Sequence, residues 1–146
     1  MLRPLSHTTF VCLCLSRDTA TTFEEKERCL SSVISVLQND PLLRMSTANL
    51  RALVVRAQVR HEYGMVDEAL RDLAQATAMA CSDSGNNNTS NHRLLGLAWR
   101  TQADCYQTLG SVPEAEEALR QWALCDPSCR TKVLHEIQAL RQRQQP

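Results

Sequence analysis

Two stretches of this chain are laid out on one ruler. Seven residues separate Ala57 from Gly64 and five separate Gly64 from Ala69; Ala103, Gly110 and Ala115 repeat the same intervals. A helix, a tight turn and a second helix satisfy that spacing. Alanine on each helix lets the two backbones approach where they cross. Glycine enters the left-handed turn without the steric cost of a Cβ. A third, partial copy lies upstream: Cys29 to Pro41 spans twelve residues, as does Ala115 to Pro127, and Val33 matches Leu119 within the interval.

The hydrophobic pattern from Glu24 onward is helical and lacks the alternation of strands. Val66, Ala69, Leu70, Leu73, Ala74 and Thr77 make one stripe; Leu95, Ala98, Trp99, Ala103, Tyr106 and Leu109 make another; Ala115, Ala118, Leu119, Trp122 and Ala123 make a third. Ser111-Val-Pro-Glu114 reads as a capping box, so a helix should begin near Val112. Asp40-Pro41 and Asp126-Pro127 should each end one helix and open another. Asp67 with Arg71, Glu116 with Arg120 and Glu24 with Arg28 are spaced as exposed ion pairs.

These residues resemble the tetratricopeptide repeat family. Trp99, Ala103, Tyr106, Ala115 and Pro127 carry the pattern best, with Ala103 in place of the usual glycine. Leu53, Ala57, Ala69, Leu73 and Ala76 carry it in the earlier copy, where Arg60 stands at the tyrosine position and Cys81 at the proline position. Trp122 is a bulky residue where the family prefers alanine, which implies a displaced neighbouring helix or an indole packed on the terminal helix. The resemblance covers about Glu24 to Cys129 and implies an all-α fold, a short α-α superhelix of helical hairpins.

Gly64 and Gly110 lie forty-six residues apart, against a family period of about 34. The surplus of twelve matches the polar tract Ser82 to Arg93, expected as a loop inserted between repeats (82–93) in a domain spanning 23–145. Arg130 to Gln144 carries Val133, Ile137 and Leu140 on one side and Lys132, Arg141 and Arg143 on the other, the pattern of a C-terminal capping helix. Residues 1–22 hold Arg3, His7 and Arg17 among Ser and Thr, with no acid before Asp18. That weakly resembles a mitochondrial transit peptide, but Phe10 to Leu15 is too short an apolar core for a signal peptide, and the reading is a poorly ordered leader with no addressing role.

Composition narrows the function. Sixteen Lys plus Arg balance sixteen Asp plus Glu, so neither nucleic acid nor an acidic membrane is an expected partner. Aromatic residues are only 4% and glycines only four, which disfavours base-stacking platforms and phosphate loops. No apolar run reaches the length of a membrane span. Seven irregularly spaced cysteines fit reduced thiols and a cytoplasmic or nuclear location ahead of a mitochondrial one. Cys125, Cys129 and His135 lack a fourth metal ligand, and a His61–Cys105 pair is selected by no motif. The expectation is therefore a protein with no catalytic activity, no metal and no cofactor.

Binding is what the family resemblance implies. In stacked hairpins the first helix of each pair lines a concave groove. Those positions here are Arg51, Val54, Val55, Gln58 and His61, then Leu97, Arg100, Thr101, Asp104 and Thr108. The resemblance implies an adaptor holding a peptide or helix of another protein, with Arg51 and Arg100 as charged anchors and Val54, Val55 and Leu97 as apolar contacts. The best-known members grip the acidic tails of large chaperones, but Val54, Val55 and Thr101 stand where that clamp needs polar or basic groups, which points to a different partner. The alternative is a structural subunit, or a shortened product of a longer repeat protein, assembling through its exposed terminal face.

Overall fold

The computed structural model describes residues 22–44, 46–82 and 89–144, and these are all-α. Among the described residues six α-helices follow one another: α1 (Phe23–Asn39), α2 (Thr47–Glu62), α3 (Val66–Ser82), α4 (Thr89–Leu109), α5 (Val112–Cys125) and α6 (Arg130–Gln144), with a 3-10 turn at Pro127–Cys129 before the last. Each helix packs on the next, and α2 also packs on α4. The expected leader lies outside the described residues except for Thr22, whose side chain accepts a hydrogen bond from the Glu25 amide and caps α1.

The glycine turns behave alike. Gly64 has φ of 81° and Gly110 of 76°. At the first turn Gly64 N donates to His61 O and Met65 N to Arg60 O; at the second Gly110 N donates to Gln107 O and Ser111 N to Tyr106 O. Both are Schellman closures, in which a left-handed residue lets the last carbonyls of a helix find donors. Ala57, Ala69, Ala103 and Ala115 are all fully buried. Ala57 and Ala69 share one apolar cluster, and Ala103 and Ala115 share a second.

Several local expectations are corrected. Ser111 makes no side-chain cap bond: its ψ is 83°, against 158° at Thr22 and 157° at Ser46, both of which do cap. Its amide already closes the preceding turn, so one residue ends α4 and opens α5 and cannot hold the extended cap geometry. Ala74 is exposed, while Ala76 and Cys105 are fully buried. Of the three proposed surface pairs only Glu116–Arg120 forms, at 3.2 Å; no ion pair joins Asp67 to Arg71 or Glu24 to Arg28 among the described residues. The tract expected to loop out is shorter than 82–93: α3 runs to Ser82 and α4 starts at Thr89. Once Leu94 and Ala98 are buried, extending the helix upstream adds one hydrogen bond per residue at little further cost. Residues 83–88 of that tract lie outside the described residues.

Two apolar clusters share α4. The first gathers Val33, Ile34 and Leu37 of α1, Leu50, Leu53 and Val54 of α2, Ala69 and Leu73 of α3, and Leu94, Ala98 and Cys105 of α4. The second gathers Ala103 of α4, Ala115, Ala118 and Leu119 of α5, and Val133, Ile137 and Leu140 of α6. Burial of each large aliphatic side chain contributes about 1.5–3 kcal/mol.

An ion network crosses the first cluster. Arg56 forks onto Asp72 (Nε–Oδ2 2.9 Å, Nη2–Oδ1 2.6 Å) and reaches the Ser31 hydroxyl; Arg60 donates to Asp72 at 3.0 Å and to Glu27 of α1. Asp72 is buried, so this network joins α1, α2 and α3. Arg60 thus occupies the expected tyrosine position by exchanging an aromatic contact for a bidentate charge pair. In the second half Trp122 lies against Gly96, where a Cβ would sit 3.3 Å from its Cδ1. The absent side chain makes room for the bulky indole.

Candidate interaction face on α2 and α4

Packing of α2 beside α4 sets the face that positions the predicted groove residues. At the C-terminal ends of both helices Thr108 donates to the Asp104 carbonyl at 3.0 Å, and its hydroxyl oxygen meets His61 Nε2 at 2.9 Å. With the hydroxyl proton committed, the imidazole donates and ties the two helices together. Along the same face Arg51 and Leu97 are exposed, and Val55, Gln58 and His61 are half-buried. Arg51 has no ion pair among the described residues.

Three predicted groove residues are placed differently. Val54 is fully buried in the cluster that includes Ala98 and Cys105 of α4, because α2 meets α4 through that side chain. Thr101 is buried and its hydroxyl donates to the Leu97 carbonyl at 2.8 Å, so its proton is committed within α4 and burial keeps it from a ligand. Arg100, read as a free anchor, lies 4.8 Å over the Trp122 ring and within 3.8 Å of Asp104 and 3.9 Å of Glu136 on α6. Its charge is offset by two carboxylates, and its Nε has no hydrogen-bond partner among the described residues.

Leu97 and Arg100 also line a cavity of about 640 Å3 with His92, Arg93, Trp122 and Cys125, where Asp126 is the one acid among the described residues. Lys132 of α6 stands 5.9 Å from the Trp122 ring centre, so the indole is flanked by two cations. His92 and Arg93 belong to α4 and not to the expected loop. The signal for Arg93 was available, since it precedes Leu97 by four residues and Arg100 by seven and so shares their helix face. A second cavity of about 200 Å3 separates α4 from α6 and is lined by Arg100, Asp104, Gln107, Glu136 and Arg143.

Nucleophile and metal chemistry find no assembled centre among the described residues. Cys105 is fully buried, and desolvation followed by the Asp104 charge pushes its thiol up to about 11. Burial, followed by the Asp126 charge, also raises Cys129. Among the described residues no hydrogen bond joins Cys105 to His61, and no group of three or more His, Cys, Asp or Glu lies close enough to hold a metal ion. None of the described helices is long and apolar enough to cross a membrane. Comparison with family models, with curated proteins and with solved structures gives no match in any of the three.

Proposed function

We propose that this chain is a short tetratricopeptide-like stack that acts as a non-catalytic adaptor, holding a peptide segment of another protein across α2 and α4. Two glycine-closed hairpins with buried alanines on a shared spacing support the repeat reading. The observation that carries the binding reading is the side-by-side setting of α2 and α4, fastened by the His61–Thr108 hydrogen bond. A face held by packing needs no ordering when a ligand arrives, which lowers the entropic cost of association.

Arg51, Val55, Gln58, His61 and Leu97 are the contact residues in this reading, and Arg93 adds a cation at the α4 end. Arg51 is the charged anchor, because Arg100 is already neutralised within the fold. The ligand is an extended or helical peptide with an acidic side chain near one end and small apolar groups beyond it. Selection from a displayed random peptide library tests this. Peptides enriched on the native chain should be acidic and should bind Arg51→Ala about tenfold more weakly. Equal affinity for Arg51→Ala and for a Val55→Asp variant overturns the assignment of this face.

A further inference from the structure

We propose that the cavity between α4, the end of α5 and the 3-10 turn binds a phosphomonoester, its phosphate held by Arg93 and Arg100 and its organic group laid on Leu97. The site shares Arg93 and Leu97 with the α2–α4 face but does not rest on the peptide reading of that face. Its volume of about 640 Å3 is that of a small-ligand site. The α4 wall reads Arg93, Gly96, Leu97 and Arg100, positions i, i+3, i+4 and i+7 of one helix face. Gly96 is buried, and a Cβ there would lie 3.3 Å from Trp122 Cδ1 and 3.8 Å from Trp122 Nε1. The missing side chain brings the N–H edge of the indole against α4, at a level between the two arginines.

Donors on this wall outnumber acceptors. Arg100 meets Asp104 and Glu136 only at 3.8 and 3.9 Å, which offsets its charge but uses none of its N–H groups, and its Nε is buried without a hydrogen bond. Arg93 has no ion pair and Trp122 Nε1 no hydrogen bond among the described residues. Unspent donors call for an acceptor, and a guanidinium presents a planar fork that phosphate oxygens fill in pairs. Asp126 also lines the cavity, but its Oδ1 accepts from the Ser128 amide and hydroxyl and is spent on closing the turn.

Charge sets the kind of anion. Lys132 stands 5.9 Å from the Trp122 ring centre and, like Arg93, has no ion pair among the described residues. Two uncompensated cations match a phosphomonoester, which carries about two negative charges near neutral pH, better than a singly charged carboxylate. Arg100 lies 4.8 Å over the indole, so that ring face is taken and the ligand meets the ring's edge. Leu97, 38% exposed, gives the wall an apolar surface. An organic group can cover that surface, whereas inorganic phosphate leaves it in water.

The test titrates the full chain with phenyl phosphate, benzoate and inorganic phosphate by calorimetry, while heteronuclear NMR follows the Trp122 indole N–H. Phenyl phosphate should bind at least about tenfold more tightly than either other anion. It should also move the indole resonance that disappears in Trp122→Phe. Arg93→Glu should abolish the binding, and Arg51→Ala should leave it unchanged. Arg93 is exposed, so circular dichroism should report an unaltered fold in its variant. Equal affinity for the three anions, an unmoved indole resonance, or binding that survives Arg93→Glu overturns the proposal. Binding lost in Arg51→Ala places the anion on the α2–α4 contact residues and also overturns it. Phosphoserine alone and phosphoserine within a short alanine peptide distinguish the two sources of the group: equal affinity assigns the site to a small phosphomonoester, and tighter peptide binding assigns it to a phosphorylated protein segment.

Discussion

The two halves of this molecule solve the same problem with different chemistry. Both are helical hairpins closed by a left-handed glycine, and both bury alanine where the helices cross. Around α2 and α3 the additional cohesion is ionic: Arg56 and Arg60 converge on buried Asp72, and Glu27 completes the network from α1. Around α4 and α5 it is steric and aromatic, with Trp122 seated against Gly96 beneath Arg100. Charge pairs fail abruptly when one partner goes, because the other is stranded away from water. A packed indole fails gradually, because neighbours can shift to fill or relieve space.

The largest expected effect therefore belongs to the first half. Asp72→Ala should destabilise the fold by about 3–5 kcal/mol, measured by urea unfolding, since it leaves Arg60 with Glu27 and Arg56 with only the Ser31 hydroxyl. A loss within the range of ordinary surface substitutions would erase the proposed contrast. Gly96→Leu should cost about 1–3 kcal/mol, and the penalty should shrink in a Trp122→Ala background, where the colliding indole is gone. An unchanged penalty there would mean that the glycine serves something other than Trp122.

The smallest effect concerns pH. The hydrogen bond from Arg141, with the Arg141 and Arg120 charges, holds Glu116 below its ordinary value of 4.5, although burial opposes this. A carboxylate with a lowered native value stabilises the fold above its unfolded value and loses that contribution as pH falls through the native one. Acidification below about 4.5 should therefore weaken the α5–α6 contact slightly, and Arg141→Ala should flatten that acid limb in thermal melts. Arg141 is largely exposed, so added salt should mimic the variant.

How far these features were legible depends on how many helices each involves. The glycine turns, the buried alanines and the inward face of α6 are properties of one helix or one hairpin, and spacing reveals them. Val54 and Thr101 are different: both lie on faces that look open until α4 is laid beside α2. Arg60 read as a departure from a pattern, because its compensating partners Asp72 and Glu27 lie twelve and thirty-three positions away. Gly96 and Trp122 are twenty-six positions apart, and only together does each make sense. Ser111 misled for the opposite reason, since two local signals competed for one backbone.

α4 is a party wall: Ala98 and Cys105 face one apolar compartment and Ala103 the other. Neither compartment can be emptied while its neighbour stands intact, so melting should proceed as a single event rather than in two steps. Cutting the chain before Thr89 should strand α1–α3 with Val54 uncovered, and that fragment should lack an independent melting transition.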